Sequence, residues 1–400
     1  MSNNLITGID IGSSHIKAIS VIKTDKSSVF EVMAKTSRPS RGVRKGVIEN
    51  PEEISMVIME CIKEIELQTN ERVDGVYVNI NGTHIKSFLS KGLVSVSRAD
   101  QRISPEDIER VVEQAKAPPM SRNKEIIDAF PIEYIIDGVG DIKNPLDIYG
   151  VRFESKVVII EGRSQFLKNV SQSVLGAEIE INDIIIGSLA SSRAVLTSDE
   201  KERGVAVVDI GAQTTSLSVF EEGVLIYTAI FPVGSVNITN DIAIGLKIDI
   251  ETAERIKLGF GSCSLGGKKI EKINVLGSDE KISFSRNTLK KIINPRVLEL
   301  FDFIREDLKK ISKNELLPSG IVITGGGSQF PGISDLVKKE LNLPCRIGAP
   351  LGFNPPIKEP NFTVCCGLVL LADDHKDDQS CGFFKKITDK IKNFFKPLIP

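Results

Sequence analysis

Two stretches half a chain apart share one pattern of apolar and polar positions. The first is ITGIDIGSSHIKAISVI, residues 6–22, and the second is GVAVVDIGAQTTSLSVF, residues 204–220. In each, an apolar run leads into Asp-x-Gly, a short polar stretch and a second alternating run, which predicts two strands joined as a hairpin. The chain therefore carries a weak duplication that aligns Asp10 with Asp209.

The residue types of these two hairpins suit the binding of an anion. Gly12 and Gly211 remove side chains where the backbone must approach a ligand closely. The hydroxyls and amides that follow each glycine can wrap an anion, and Asp10 and Asp209 can hold the water shell of Mg²⁺. One such hairpin alone is an ordinary turn, but two with the same flanking strands are a much stronger signal.

A third stretch, SGIVITGGGSQFPGISDLVKKEL, places a glycine cluster directly after a buried strand. The strand is predicted over residues 321–324, and a helix begins near Pro331. The amides after the glycines are available to a ligand, although the stretch taken alone is equally a tight strand–helix turn.

The segment after the first hairpin predicts a small α/β unit. Its helix has a clear start, with Ser104 as N-cap, Pro105 at the first position and apolar residues at helical spacing thereafter. The unit contains no recognisable chemical constellation, so we expect it to serve protein contacts. A strand is predicted over residues 76–80 before the unit, and further strands over 93–96, 130–136 and 157–160 within it.

The last twenty residues, CGFFKKITDKIKNFFKPLIP, follow an acidic stretch, DDHKDDQS. The acidic stretch predicts a flexible tether, and the final segment predicts an amphipathic helix with lysines beside an apolar stripe. This pattern is typical of a helix in a membrane interface, although a helix that docks on the protein or on a partner has the same pattern. The candidate membrane residues are Phe383, Phe384, Lys385, Lys386, Ile387, Lys390, Ile391, Phe394 and Phe395.

Composition narrows the class of protein. A chain of 400 residues exceeds one compact core, so we expect two or more domains. The formal net charge of −2 argues against a nucleic-acid partner. Six cysteines without a CxxC pair indicate reduced thiols. With no export signal and no apolar run of about 18–20 residues, the body is expected to be cytosolic.

The two hairpins and the glycine turn, in this order, resemble the actin-like ATPase superfamily. The resemblance implies that the hairpins hold the phosphates of ATP from opposite domains, with Mg²⁺ held through water by Asp10 and Asp209. It also implies that the helix IETAERIKLGFG contacts the ribose and base through Glu254 and Lys257, a pair that alone would be a surface ion pair. The nucleotide residues implied are Asp10, Gly12, Ser13, Ser14, His15, Lys17, Asp209, Gly211, Ala212, Gln213, Thr214, Thr215, Gly234, Glu254, Lys257, Gly325, Gly326, Gly327 and Ser328.

Within the superfamily, nearly the whole chain resembles the bacterial cell-division family FtsA. The phrases that carry this resemblance are FPVGSVNITNDIA, SLASSRAVLTSDEKERGVAVVDIG and NPLDIYGVRFES, together with the form of the tail. The fold class implied is α/β: an actin-like, ribonuclease H-like duplicated two-domain fold with an inserted strand–helix–strand–strand subdomain (SHS2 type) and a C-terminal amphipathic helix.

The resemblance also implies a division of the chain into subdomains. The expected parts are subdomain 1A over 1–82, 163–202 and 351–372; subdomain 1C over 83–162; subdomain 2A over 203–241 and 317–350; subdomain 2B over 242–316; a flexible linker over 373–381; and the membrane-targeting helix over 382–400.

Members of this family imply a set of partners. These are the C-terminal peptide of FtsZ at subdomain 2B, later division proteins at subdomain 1C, further copies in an actin-like filament, and an anionic membrane surface. We therefore expect a peripheral protein on the cytoplasmic face of the membrane at the division site. The basic candidates for the acidic FtsZ peptide are Lys290, Lys291 and Arg296, each of which could equally lie on a solvated helix face.

Several positions depart from the superfamily pattern. Ala212-Gln213 stands where two glycines are common, Ser216 stands where an acid is frequent, and Ser235 replaces a usual glycine beside Gly234. MreB-like proteins position the attacking water with a glutamate, whereas IIIGSLASS offers Gly187 and no acid. We therefore expect ATP binding with slow or negligible hydrolysis.

Other families of the superfamily have the same phosphate-binding hairpins and are alternatives for this chain. A sugar or acetate kinase needs a catalytic base beside a substrate pocket and has no use for the terminal helix. A heat-shock chaperone needs a large domain after the ATPase. The pilus-assembly family PilM is a nearer alternative because it shares the core and the inserted subdomain, but it lacks the acidic linker and basic helix.

Overall fold

The computed structural model describes residues 5–23, 29–117, 123–264, 270–274, 281–313 and 316–377. Within these ranges the strands are β1 Leu5–Ile11, β2 His15–Lys23, β3 Phe30–Pro39, β4 Val43–Arg44, β5 Val47–Ile48, β6 Gly75–Ile80, β7 Lys86–Ser95, β8 Lys124–Ile136, β9 Val139–Ile142, β10 Arg152–Arg163, β11 Glu180–Ile186, β12 Val205–Ile210, β13 Thr215–Glu221, β14 Val224–Phe231, β15 Ile270–Asn274, β16 Lys281–Ser285, β17 Ile321–Thr324, β18 Cys345–Ile347 and β19 Phe353–Asn354. The helices are α1 Pro51–Thr69, α2 Pro105–Lys116, α3 Ser164–Leu175, α4 Gly187–Val195, α5 Ser198–Arg203, α6 Ser235–Leu246, α7 Ile250–Phe260, α8 Arg286–Lys310, α9 Ile333–Leu341 and α10 Thr363–Asp377.

The first lobe is built on a six-stranded sheet in the order β11-β6-β1-β2-β3-β19. The strands β1 and β2 form the predicted hairpin, in which Asp10 lies opposite Lys17. Helix α1 packs on β2 and β3, while α10 packs on β1, β2 and β6, so both faces of the sheet are covered. Burial of Ile9, Ile16 and Ile19 fixes the hairpin in this core.

The second lobe repeats this plan with a five-stranded sheet in the order β14-β13-β12-β17-β18. Its hairpin of β12 and β13 places Asp209 opposite Ser216. The turns correspond as well, since the Gly12 amide donates to the His15 carbonyl and the Gly211 amide donates to the Thr214 carbonyl. The duplicated α/β architecture predicted from the two hairpins is confirmed.

The inserted subdomain is a four-stranded sheet in the order β7-β10-β8-β9, covered by α2. Ser104 caps α2 as predicted, in a capping box with Asp107. The helix buries Val111 and Val112 against Phe153 of β10. The short strand β9 was not predicted; it forms because the long strand β8 turns back on itself at Asp137, which has a positive φ of 48°.

The predicted linker begins too early, because α10 continues through Asp377. Arg193 of α4 forms a bidentate ion pair with Asp374, with N–O distances of 2.6 and 2.8 Å, and Lys23 pairs with Asp373. These ion pairs tie two of the four acidic residues of the expected tether to the first lobe. The rest of the linker and the predicted membrane helix, residues 378–400, lie outside the described residues. In the described part of the chain, no helix is long and apolar enough to cross a membrane.

Candidate functional site

A cleft of about 500 Å³ lies between the two lobes, and both hairpins and the glycine turn open into it. The predicted residues that line it are Asp10, Gly12, Ser13, Ser14, His15, Lys17, Asp209, Gly211, Ala212, Thr214, Glu254, Lys257, Gly325 and Gly326. Segments separated by more than 300 residues in sequence are therefore brought together at one place.

The first hairpin holds a carboxylate between two donors. Lys17 Nζ donates to Asp10 Oδ2 over 3.0 Å, and Asn79 Nδ2 donates to Asp10 Oδ1 over 2.7 Å. Asn79 Oδ1 in turn accepts from the Ile11 amide, which fixes the orientation of the carboxamide. Burial lowers the pKa of Lys17, but the attraction of Asp10 outweighs it, so the pKa of Lys17 lies above its usual value. The lysine is a fixed cation at the floor of the cleft.

The second hairpin presents its carboxylate to the glycine turn. A Cβ at Gly325 would stand 2.1 Å from Asp209 Oδ1, and Gly325 has a φ of +82°, so only glycine fits there. Burial, and then repulsion from Asp10, raises the pKa of Asp209 to about 7, against smaller opposite effects of Lys17 and Ser191. Two carboxylates from opposite lobes are thus held close enough to interact.

Helix α7 brings a buried lysine to the cleft. Lys257 is only 5 % exposed and forms a 2.6 Å ion pair with Glu254, whose side chain remains 40 % exposed. Thr239 bridges the pair, accepting from Lys257 Nζ over 2.8 Å and donating to Glu254 Oε2 over 2.6 Å. The alternative of a solvated surface pair is therefore wrong. The apolar residues Leu258 and Phe330 line the cleft beside the pair.

Five of the predicted residues do not line this cleft. Thr215 Oγ1 donates to the Val233 carbonyl inside the second lobe, and Gln213 Oε1 accepts from the Lys45 amide. Ser328 Oγ donates to the Gly325 carbonyl and so stabilises the turn from within. The five residues outside the cleft lining are Gln213, Thr215, Gly234, Gly327 and Ser328.

Both remaining glycines of that group are required by packing. A Cβ at Gly234 would stand 2.5 Å from the Ala212 carbonyl oxygen, and one at Gly327 would stand 2.3 Å from Ile210 Cγ2. These two residues support the second hairpin from behind rather than face the cleft.

Sequence reasoning missed several residues that line the cleft. Asn81 follows β6, Asn361 precedes α10, Leu258 lies on α7 and Phe330 follows the glycine turn. The Asn361 Oδ1 atom is buried without a hydrogen-bond partner. The only available signal was the polar pair in VNING, where asparagines at positions 79 and 81 end an otherwise apolar strand.

The three basic candidates for an acidic peptide differ in their surroundings. Lys291 is exposed and Lys290 is half-buried on α8. Arg296 instead forms a bidentate pair with Asp241 of α6, at 2.7 and 2.9 Å, and a further bond to Glu299. The charge of Arg296 is thus already paired within the protein.

Comparisons with known proteins agree with this architecture. The family model for Cell division protein FtsA matches residues 206–367, and the model for the SHS2 domain inserted in FTSA matches residues 82–161. The Cell division protein FtsA of Borreliella burgdorferi is 35% identical over 98% of this chain and 96% of its own length. Those of Pseudomonas aeruginosa and Escherichia coli K12 are 33% identical (94% of this chain, 91% of theirs) and 30% identical (98% and 96%).

Solved structures share the fold at low sequence identity. A chain of the PilM-PilN type IV pilus biogenesis complex superposes with a TM-score of 0.66 at 20% identity, covering 92% of this chain and 98% of that chain. MreB5 of Spiroplasma citri bound to ADP gives a TM-score of 0.57 at 12% identity, covering 97% and 98%. These structural similarities show an actin-like fold. The family is shown by the FtsA relatives that match over nearly their whole length. The chain belongs to the FtsA family of cell division proteins.

Proposed function

We propose that the cleft binds ATP together with Mg²⁺. The observation that carries this proposal is the pair of Asp-x-Gly hairpins facing each other from opposite lobes, with Lys17 between them. The turn amides and hydroxyls supply donors for phosphate oxygens, and the lysine supplies a cation. On α7, Glu254 and Lys257 supply an acceptor and a donor for a ribose, and the apolar residues beside them suit a base.

The residues present fit a magnesium ion. Asp10 and Asp209 repel each other, which a nearby cation would relieve. In the described ranges no cluster of three or more metal-ligating side chains occurs, so the phosphates and water would supply most ligands, as is usual for Mg²⁺. When bound, the ion neutralises charge on the β- and γ-phosphates. The protein's own part is to orient its water shell through these two aspartates.

We expect ATP hydrolysis in this cleft to be slow. An efficient hydrolase requires a base or a strong orienting group within hydrogen-bond reach of the attacking water. Among the described residues that line the cleft, the acids are Asp10, Asp209 and Glu254. Asp10 is bound to Lys17 and Asn79, Asp209 faces the glycine turn, and Glu254 is bound to Lys257 and Thr239. ATP would then act mainly to bring the lobes together.

Membership of the FtsA family supports a wider role in division. We propose that nucleotide-bound copies assemble into actin-like filaments, that subdomain 2B binds the C-terminal peptide of FtsZ, and that subdomain 1C contacts later division proteins. The amphipathic segment over residues 382–400 would hold the filament on the cytoplasmic face of the membrane. Each tail would bind weakly, at about 1 kcal/mol per lysine near an anionic leaflet, so many tails in one filament gain by avidity.

Two experiments test this proposal separately. Titration of the full chain with a fluorescent ATP analogue and Mg²⁺ should show saturable binding that Lys17→Ala weakens at least tenfold and Lys63→Ala, at an exposed position on α1, does not. Binding that is absent, or equal in both variants, contradicts the nucleotide role. In a flotation assay with anionic liposomes, the full chain should float with the liposomes, and a variant without residues 382–400 should not. Equal flotation of the two proteins contradicts the proposed membrane anchor.

A further inference from the structure

We propose that Asn81 is the residue that orients the attacking water in this cleft. The inference rests on the proposed binding of ATP and deepens it. It starts from the position of Asn81 directly after β6, where its side chain lines the cleft between the lobes.

The carboxamide of Asn81 fills a space that an adjacent backbone position leaves open. A Cβ at Gly187, the first residue of α4, would stand 2.5 Å from Asn81 Oδ1 and 2.6 Å from Nδ2. A side chain at position 187 and the Asn81 carboxamide therefore compete for one place. The glycine at the start of α4 allows the asparagine to occupy it.

Asn81 belongs to the phosphate end of the cleft. Asn79, two residues earlier in the chain, bonds to Asp10. Gly46 donates its amide to Ser13 Oγ in the first hairpin turn, and a Cβ at Gly46 would stand 3.3 Å from Asn81 Cβ. Asn81 thus lies beside the first hairpin, whose Asp10 and Ser13 line the same cleft.

The Asn81 carboxamide is free to bind a ligand or a water. Its backbone carbonyl contacts His84 Nε2 at 3.1 Å, but no hydrogen bond of its side chain to another described residue is formed. Neutral amides are suited to orient water because they accept from one O–H and donate to an oxygen. They cannot take up the proton.

This chemistry accounts for slow turnover. The water oxygen forms a bond to the γ-phosphorus while the bond from that phosphorus to the β,γ-bridging oxygen breaks, giving ADP and phosphate. The water proton passes to a γ-phosphate oxygen, since the amide of Asn81 cannot accept it. The asparagine contributes orientation alone, so hydrolysis proceeds without a protein base.

Single-turnover hydrolysis with protein in excess over γ-labelled ATP tests the proposal. Asn81→Ala should lower the rate at least tenfold while the affinity for the ATP analogue stays within about twofold. Asn81→Asp, which has the same size and can accept a proton, should raise the rate above wild type by about tenfold or more. Asn240→Ala, at an exposed asparagine on α6, should leave the rate unchanged.

The outcomes separate this inference from the proposed function. Equal rates for wild type and Asn81→Ala, including no hydrolysis by either, overturn the role of Asn81. A large loss of affinity at an unchanged rate in bound complexes also overturns it, because Asn81 would then hold the nucleotide. Failure of wild type to bind the analogue contradicts the ATP proposal itself.

Discussion

Gln213 Oε1 accepts a 2.7 Å hydrogen bond from the backbone amide of Lys45, and this bond joins the two lobes. Lys45 lies in the turn between β4 and β5 of the first lobe, with a positive φ of 50°, and Gln213 lies in the second hairpin. Resemblance predicts a nucleotide contact for Gln213; in the structure its side chain links the lobes instead. The bond would have to break or lengthen when the lobes separate.

Gln213→Ala should therefore speed the release of bound nucleotide. The loss of one hydrogen bond of about 0.5–1.5 kcal/mol corresponds to an increase of about two- to tenfold in the dissociation rate. Stopped-flow displacement of a fluorescent ATP analogue measures it, with Gln172→Ala on the exposed surface of α3 as the control. The same dissociation rate in Gln213→Ala and wild type would show that the bond does not hold the lobes together.

Gly325→Ala should destabilise the protein and impair the cleft. The added Cβ would meet Asp209 Oδ1 at 2.1 Å, and the φ of +82° is itself strained for alanine. We expect a loss of about 1–3 kcal/mol in the free energy of unfolding. Gly326→Ala is a matched control for stability, because its Cβ would meet nothing closer than 3.9 Å. Similar denaturation midpoints for the two variants would refute the packing argument.

Asp128→Asn should stabilise the folded protein at neutral pH. Burial, followed by repulsion from Asp183, raises the pKa of Asp128 to about 7, although the Ala129 amide and Lys116 act in the opposite direction. As pH rises from about 4 to 7, the unfolded chain releases this proton while the folded chain retains it, so stability falls over that window. The variant removes this loss, so its free energy of unfolding at pH 7.5 should exceed that of wild type by at least about 1 kcal/mol. The upper limit is about 4 kcal/mol, which corresponds to a shift of three pKa units.

Chemical denaturation of Asp128→Asn at pH 4.5 and 7.5 measures the effect. Glu125→Gln, at an exposed position of the same strand β8, controls for the loss of one negative charge. An unchanged pH dependence of stability in Asp128→Asn would contradict a raised pKa at this site.

The basic residues of α8 should separate into binding and structural roles. Lys291→Glu should lower the affinity for an acidic FtsZ-derived peptide about two- to fivefold at low salt. The loss of affinity should be smaller at high salt, because salt screens the exposed charge at position 291. Arg296→Ala should lower stability through the loss of its Asp241 pair and leave the peptide affinity of the folded protein unchanged. Anisotropy titration measures both; a larger loss of affinity for Arg296→Ala would reverse the assignment.

The features that sequence predicts best here depend on local periodicity. The hairpins at Asp10 and Asp209, the capped helix after Ser104 and the strand before Gly325 each carry their signal within about twenty residues. Their repetition is what makes the two-lobed cleft predictable.

The features that sequence analysis missed depend on contacts between distant segments. Asn79 reaches Asp10 only because β6 lies parallel to β1, and Asn81 enters the cleft only because Gly187 leaves room. The last turns of α10 likewise contact a distant segment, because Asp374 pairs with Arg193, 181 positions earlier. The hydrophilic composition of DDHKDDQS predicts a tether, but composition alone cannot show that its first two aspartates form ion pairs with the first lobe.

The most direct test of the account is an experimental structure of the full chain with ATP and Mg²⁺. We predict that the phosphates lie between the turns over 12–15 and 211–214, with Lys17 Nζ bound to a phosphate oxygen and the base beside Leu258. We also predict a water within hydrogen-bond distance of the Asn81 carboxamide and in line with the γ-phosphate. Nucleotide bound elsewhere, or a cleft that stays empty at saturating ATP, would contradict the central claim.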